Sequence, residues 1–60
     1  MVIMRILVVE DDAKLVRALE RGLSHEGYEV DAVTTGEEGL SRATAGSYDA
    51  VVLGSYPQWV

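Results

Sequence analysis

The sequence predicts an α/β fold of three parallel strands in the spatial order two, one, three, with helices on both faces of the sheet. Apolar runs over residues 4–9 and 48–53 are typical of strands that are covered on both faces. Segments with helical spacing of apolar residues alternate with the strands. Right-handed crossovers then place the first strand between the other two, if the order in which strands are added to the sheet reverses at the first strand.

The first strand covers residues 4–9 and is expected at the centre of the sheet because its apolar run is continuous. The first helix follows over residues 13–24, where Asp12 is a suitable N-cap and Gly27 a suitable stop. Apolar residues fall on one helical face and charged residues on the other. The predicted core-facing stripe consists of Leu15, Val16, Leu19 and Leu23.

The second strand, residues 28–33, alternates apolar and acidic side chains, which indicates a half-buried strand near a sheet edge. Thr35 and Glu38 have the spacing of a capping box that opens a second helix, running to about residue 45. This helix contains Gly39, a serine and a threonine, so its intrinsic propensity is low and packing must hold it. The residues that offer apolar contact are Leu40, Ala43 and Ala45.

The third strand covers residues 48–53 and repeats the apolar character of the first. Residues 54–60 hold two of the four aromatic residues and the only proline, without a helical or strand period. We therefore predict one domain over residues 1–53, followed by an irregular tail.

Composition restricts the possible functions. A chain of 60 residues buries only about 60% of the surface that its unfolded form exposes, so marginal stability is expected. There is no cysteine, which excludes disulfides and thiol catalysis. The net charge of −5 repels phosphate backbones and anionic lipids, so neither nucleic acid nor a membrane is expected as a partner. No apolar stretch resembles a secretory signal or a membrane span, which favours a cytoplasmic location.

Three acidic residues, Glu10, Asp11 and Asp12, follow the first strand directly. Ligands of open α/β sheets bind in the crevice beyond the carboxyl ends of the strands, and carboxylates there suit Mg²⁺. The alternative is that these acids only complement the helix macrodipole, at about 0.3–1 kcal/mol each. The third strand delivers Gly54 to the same crevice instead of a further acid, so the site is half built.

Several segments, taken together and in this order, resemble the receiver domains of bacterial response regulators, especially those fused to winged-helix transcription factors. The segments are residues 4–13, 23–30, 35–40 and 48–53, and the resemblance covers about the first 53 residues. It implies a partial flavodoxin-like fold and a role in two-component phosphorelay signalling. In that family a histidine kinase passes a phosphoryl group to an aspartate at the end of the third strand, assisted by Mg²⁺.

Carried over by position, the resemblance makes Asp11 the direct metal ligand and Glu10 a ligand through water, while Asp12 contributes less and caps the helix. The acceptor position falls on Gly54, which has no side chain to phosphorylate, so weak Mg²⁺ binding is the most we expect. Family members continue with two further strands that carry a hydroxyl residue and a lysine. The sequence therefore indicates a truncated receiver module, such as a frameshift, a shortened gene or a deliberate cut would leave.

Other residues are poor substitutes for the acceptor. Ser55 and Asp49 lie off the acceptor position, and a serine hydroxyl needs an activating base. His25, near the end of the first helix, is expected to be exposed to solvent. No catalytic triad, phosphate-binding glycine loop or metal-hydrolase motif is present, so an enzyme is not expected.

A second reading is a structural module whose activity is self-association. In half of a receiver, the third strand is an unpaired edge, which two copies could cover in a homodimer or a larger oligomer. Aromatic residues of the tail could gain by burial in such an interface. The residues predicted to take part are Val51, Val52, Leu53, Tyr56 and Trp59.

Overall fold

The computed structural model describes residues 2–54, in which strands and helices alternate. The elements are β1 (Arg5–Val9), α1 (Ala13–His25), β2 (Glu29–Val33), α2 (Gly36–Ala45) and β3 (Ala50–Leu53). The strands are parallel and lie in the order β2-β1-β3. The predicted α/β fold, of partial flavodoxin-like type, and its strand order are therefore confirmed.

Each strand begins later than the sequence predicts, by one residue in β1 and β2 and by two residues in β3. The difference at β3 has a local cause, because Asp49 is held by the backbone of Arg5. The Asp49 N–H donates to the Arg5 carbonyl at 2.8 Å, and the Arg5 N–H donates to Oδ2 of Asp49 at 2.8 Å. The hydrogen bond from the Arg5 N–H to the Asp49 carboxylate thus takes the place of a backbone bond between β1 and β3, and the pairing of these strands begins at Ala50.

Helix α1 has well-formed ends. Oδ1 of Asp12 accepts from the N–H groups of Lys14 at 2.9 Å and Leu15 at 3.3 Å, which confirms Asp12 as the N-cap. The helix ends at His25, one residue later than predicted. Gly27 follows with a φ of 96°, a left-handed conformation that glycine adopts without strain and that lets the chain turn back after the helix.

The apolar stripe of α1 is less buried than predicted. No residue of α1 is buried, and Leu15 is 37% exposed. The other three stripe residues are half-buried. Within residues 2–54, α1 packs mainly against β2, which is an edge strand and covers only part of the helix face.

Helix α2 is opened by the predicted capping box and packs through a glycine. Oγ1 of Thr35 accepts from the Glu38 N–H at 3.1 Å, while the Glu38 carboxylate accepts from the N–H of Thr34 at 3.4 Å. Leu40 is 72% exposed, so the expectation that it packs the helix was wrong. The buried residue of α2 is Gly39, which lies directly over Val9 of β1.

The core is small and centred on β1. Its buried apolar residues are Ile6, Leu7, Val8, Val9 and Val33. Four of these belong to β1, as expected for the central strand. Neither helix within residues 2–54 has the length and apolar character needed to cross a membrane.

Candidate functional site

The candidate site is the crevice beyond the carboxyl ends of β1 and β3, where Glu10 and Gly54 lie side by side. The Glu10 N–H donates to the carbonyl of Val33 at 3.0 Å, and the Gly54 N–H donates to the carbonyl of Val9 at 3.0 Å. These bonds extend the parallel ladders by one residue beyond each strand. The backbones at positions 10 and 54 are therefore fixed relative to each other.

Glu10 is buried with 0% exposure, and its side chain points into the protein. Its Oε2 accepts from the backbone N–H of Asp12 at 2.8 Å. This bond satisfies one of the donors at the start of α1, which intrahelical bonds leave unpaired. Glu10 thus ties the end of β1 to the start of the helix.

The carboxylate of Glu10 also fills the space beside Gly54. A Cβ atom added at Gly54 would lie 2.7 Å from Cδ and 3.0 Å from Cβ of Glu10, and it would overlap Oε1. Ordinary van der Waals contact between carbon atoms is about 3.5–4.0 Å. The position that the resemblance assigns to the phosphoryl acceptor is therefore occupied by the side chain of a neighbouring strand end.

The three consecutive acids differ in burial and in their contacts. Glu10 is buried, Asp12 caps α1 with Oδ1, and Asp11 is exposed. Among residues 2–54, no group of three His, Asp or Glu side chains is arranged to hold a metal ion. Ion binding at Glu10 and Asp11 stays a prediction.

A second polar cluster, which the sequence analysis did not identify, joins β1, β2 and α2 around Asp31. Oδ2 of Asp31 accepts from the Tyr48 hydroxyl at 2.6 Å and from Arg5 at 3.2 Å, and Arg42 lies 3.8 Å away. Arg5 also pairs with Glu29 at 3.0 Å and lies 5.0 Å from the centre of the Tyr48 ring. The Tyr48 hydrogen bond and the charges of Arg5 and Arg42 lower the pKa of Asp31, against the opposing effect of burial.

An apolar groove, with a volume of about 380 Å³, lies between α2 and β3. Its lining residues are Val9, Gly36, Gly39, Leu40, Ala43, Val51 and Leu53. Two of the residues predicted to mediate self-association, Val51 and Leu53, are 47% and 52% exposed there. Val52 is half-buried on the other face of β3.

The remaining predicted residues fall in different places. His25 is exposed, as expected. Asp49 lies at the opposite end of β3 from Gly54, where it binds the Arg5 backbone. Ser55, Tyr56 and Trp59 lie outside the described residues.

The chain has curated relatives. It is 47% identical over 49 residues to the transcriptional regulatory protein PcoR of Escherichia coli, covering 82% of this chain and 22% of that protein. It is 49% identical over 49 residues to the transcriptional regulatory protein TcrA of Mycobacterium tuberculosis, covering 82% and 19%. The response regulator ArlR of Staphylococcus aureus is 45% identical over 49 residues, covering 82% and 22%.

The chain is related to the response regulators. This confirms the resemblance seen in its sequence motifs. The chain spans about a fifth of the length of the response-regulator relatives it matches. No protein-family model matches it, and no solved structure matches it.

Proposed function

We propose that this chain is a cytoplasmic receiver-type module of two-component signalling that does not accept a phosphoryl group. The observation that carries the proposal is Gly54, which follows β3 in the crevice beside Glu10. A phosphoryl acceptor needs an oxygen nucleophile at that point, and glycine has none. A histidine kinase as partner, and the absence of catalytic activity, are parts of the same proposal.

The other oxygen nucleophiles near β3 support this reading. Asp49 lies at the far end of the strand, where its carboxylate already accepts the Arg5 N–H at 2.8 Å. Glu10 is beside the acceptor position, but it is fully buried and hydrogen-bonded to Asp12. Asp49 is exposed but lies at the opposite end of β3 from the acceptor position, and Glu10 lies beside that position but is buried.

The test is incubation with acetyl phosphate, and separately with a phosphorylated histidine kinase, followed by intact mass spectrometry. We expect no phosphoryl adduct on this chain. A response regulator with an acceptor aspartate, treated in parallel, shows that the donor is active. A phosphoryl adduct on this chain, mapped by fragmentation to any residue, would contradict the proposal.

A second candidate function is self-association, which the apolar groove favours. The groove leaves Leu40, Val51 and Leu53 exposed beside a core that, within residues 2–54, contains five buried apolar residues. Within residues 2–54, β3 pairs with a strand on one side only. A second copy of the chain would cover both the groove and this strand edge, which is how edge strands commonly associate.

Sedimentation velocity over a range of concentrations tests this second candidate. We expect Leu53→Glu to shift the chain towards monomer, because a charge in the groove opposes burial. Ala18→Glu is the matched control, since it adds the same charge at an exposed position of α1. A wild-type chain that stays monomeric at every concentration would remove self-association as a function.

A further inference from the structure

We propose that Glu10 fills the place of the missing side chain at position 54, and that its buried carboxylate is therefore not available as a metal ligand. On this view the glycine and the buried glutamate are one coupled feature. The acids after β1 then do not form a magnesium site that lacks only a third ligand. The inference does not rest on the signalling proposal, because it concerns only which side chain occupies the crevice.

The coupling follows from the fixed backbones. The ladder bonds of Glu10 to Val33 and of Gly54 to Val9 hold positions 10 and 54 together. A Cβ at position 54 would lie 2.7 Å from the Glu10 carboxyl carbon, well inside contact distance. Only glycine at position 54 leaves room for the inward conformation of Glu10, so any other residue requires the carboxylate to move.

The consequence for metal binding is specific. Mg²⁺ requires octahedral oxygen ligands and keeps several waters, usually with one or two protein carboxylates. The Glu10 carboxylate is 0% exposed and bonded to Asp12, whose own carboxylate caps α1. Asp11 is then the one acid of the three that is exposed and not used as a cap.

Gly54→Asp should therefore change two ligands rather than one. The new side chain brings a carboxylate to the crevice, and its Cβ requires the Glu10 carboxylate to leave the space beside position 54. Three acidic groups would then face one point beyond the strand ends. The gain in metal affinity should depend on Glu10, although Glu10 contributes nothing in the wild-type chain.

The experiment is calorimetric titration of the full chain with Mg²⁺, using wild type, Glu10→Gln, Gly54→Asp and the double variant. We expect no saturable binding at millimolar ion for wild type and Glu10→Gln alike. Gly54→Asp should show saturable binding with an affinity at least about tenfold above the upper limit that the wild-type titration sets. Adding Glu10→Gln to Gly54→Asp should remove most of that gain. Saturable wild-type binding that Glu10→Gln weakens, or a Gly54→Asp gain that ignores Glu10, would overturn the proposal.

A stability measurement keeps the proposal testable if Gly54→Asp does not fold. Gly54→Ala should lower the urea midpoint in the wild-type background and lower it much less in a Glu10→Ala background, since the overlapping carboxylate is then absent. Gly36→Ala is the control, because a Cβ there meets nothing within 4 Å. Equal effects of Gly54→Ala in the two backgrounds would show that Glu10 does not occupy this space.

Discussion

Substituting Gly39 by alanine should destabilise the fold, although alanine is the better helix former. Gly39 lies in α2 directly over β1, and an added Cβ would lie 2.6 Å from Cγ2 of Val9. The second methyl group of Val9, Cγ1, would lie 3.2 Å from the added Cβ. A rotation of the Val9 side chain that exchanges the two methyl groups therefore leaves a close contact. Val9 is 2% exposed and cannot move away from the helix. Helix α2 must therefore shift outward by about 1 Å to restore normal contact.

The size of the effect follows from two opposing contributions. Overpacking by one methyl group in a close-packed core costs about 1–3 kcal/mol. Replacing glycine by alanine inside a helix returns about 1 kcal/mol of propensity. The net change is a loss of about 0–2 kcal/mol, against a total stability of about 3–9 kcal/mol for a chain of this length.

A matched control separates the two contributions. Gly22 lies inside α1, is exposed, and a Cβ there meets nothing within 4 Å, so Gly22→Ala gains the propensity without the contact. We expect Gly39→Ala to be less stable than Gly22→Ala by about 1–3 kcal/mol. With a urea m-value near 1 kcal/mol/M, the midpoints followed by circular dichroism should differ by about 1–3 M. Two variants of equal stability would refute the close approach of α2 and β1.

Two further predictions concern side-chain hydrogen bonds. Asp12→Ala should lower the free energy of unfolding by about 1 kcal/mol, because the first turn of α1 loses its cap. Urea denaturation measures this loss, with Asp11→Ala as the control. Equal losses in the two variants would contradict the capping role of Asp12. Tyr48→Phe should raise the pKa of Asp31 towards its ordinary value. Because folding lowers the pKa of Asp31, its ionised carboxylate stabilises the fold at a pH above the unfolded pKa. This stabilisation is lost as the pH falls through the folded pKa. The stability that Tyr48→Phe loses relative to wild type should therefore be larger at neutral pH than in strong acid. A difference that is independent of pH, measured beside Tyr28→Phe, would contradict this.

The elements and caps could be predicted because they are encoded locally. Residues 6–9 of β1 form a continuous apolar run, and the N-caps Asp12 and Thr35 stand at fixed spacing before their helices. Each of these signals lies within a few residues of the structure that it determines. Strand order followed from connection handedness, which is also a general rule.

Contacts between residues far apart in the sequence could not be predicted in the same way. The approach of Gly39 to Val9 joins residues 30 positions apart, and in the sequence Gly39 reads only as a weak helix former. The Asp31 cluster likewise depends on the pairing of β1 with β2 and on the position of Tyr48 before β3. The alternation of acids in β2 was visible, but their partners were set by the tertiary fold.

The buried position of Glu10 could not be predicted from the motif in which it lies. The sequence places Glu10 next to Asp11, and adjacency suggested that both serve one ion. In the structure their side chains separate, because the space at position 54 is empty of any side chain and Glu10 enters it. A glycine at the end of β3 therefore has two effects. In our proposals, it leaves the acceptor position without an oxygen, and it also leaves room for the side chain of an acid 44 positions earlier in the chain. Because the Glu10 side chain lies where a side chain at position 54 would lie, the effect of a substitution at one of the two positions must be judged on both residues together.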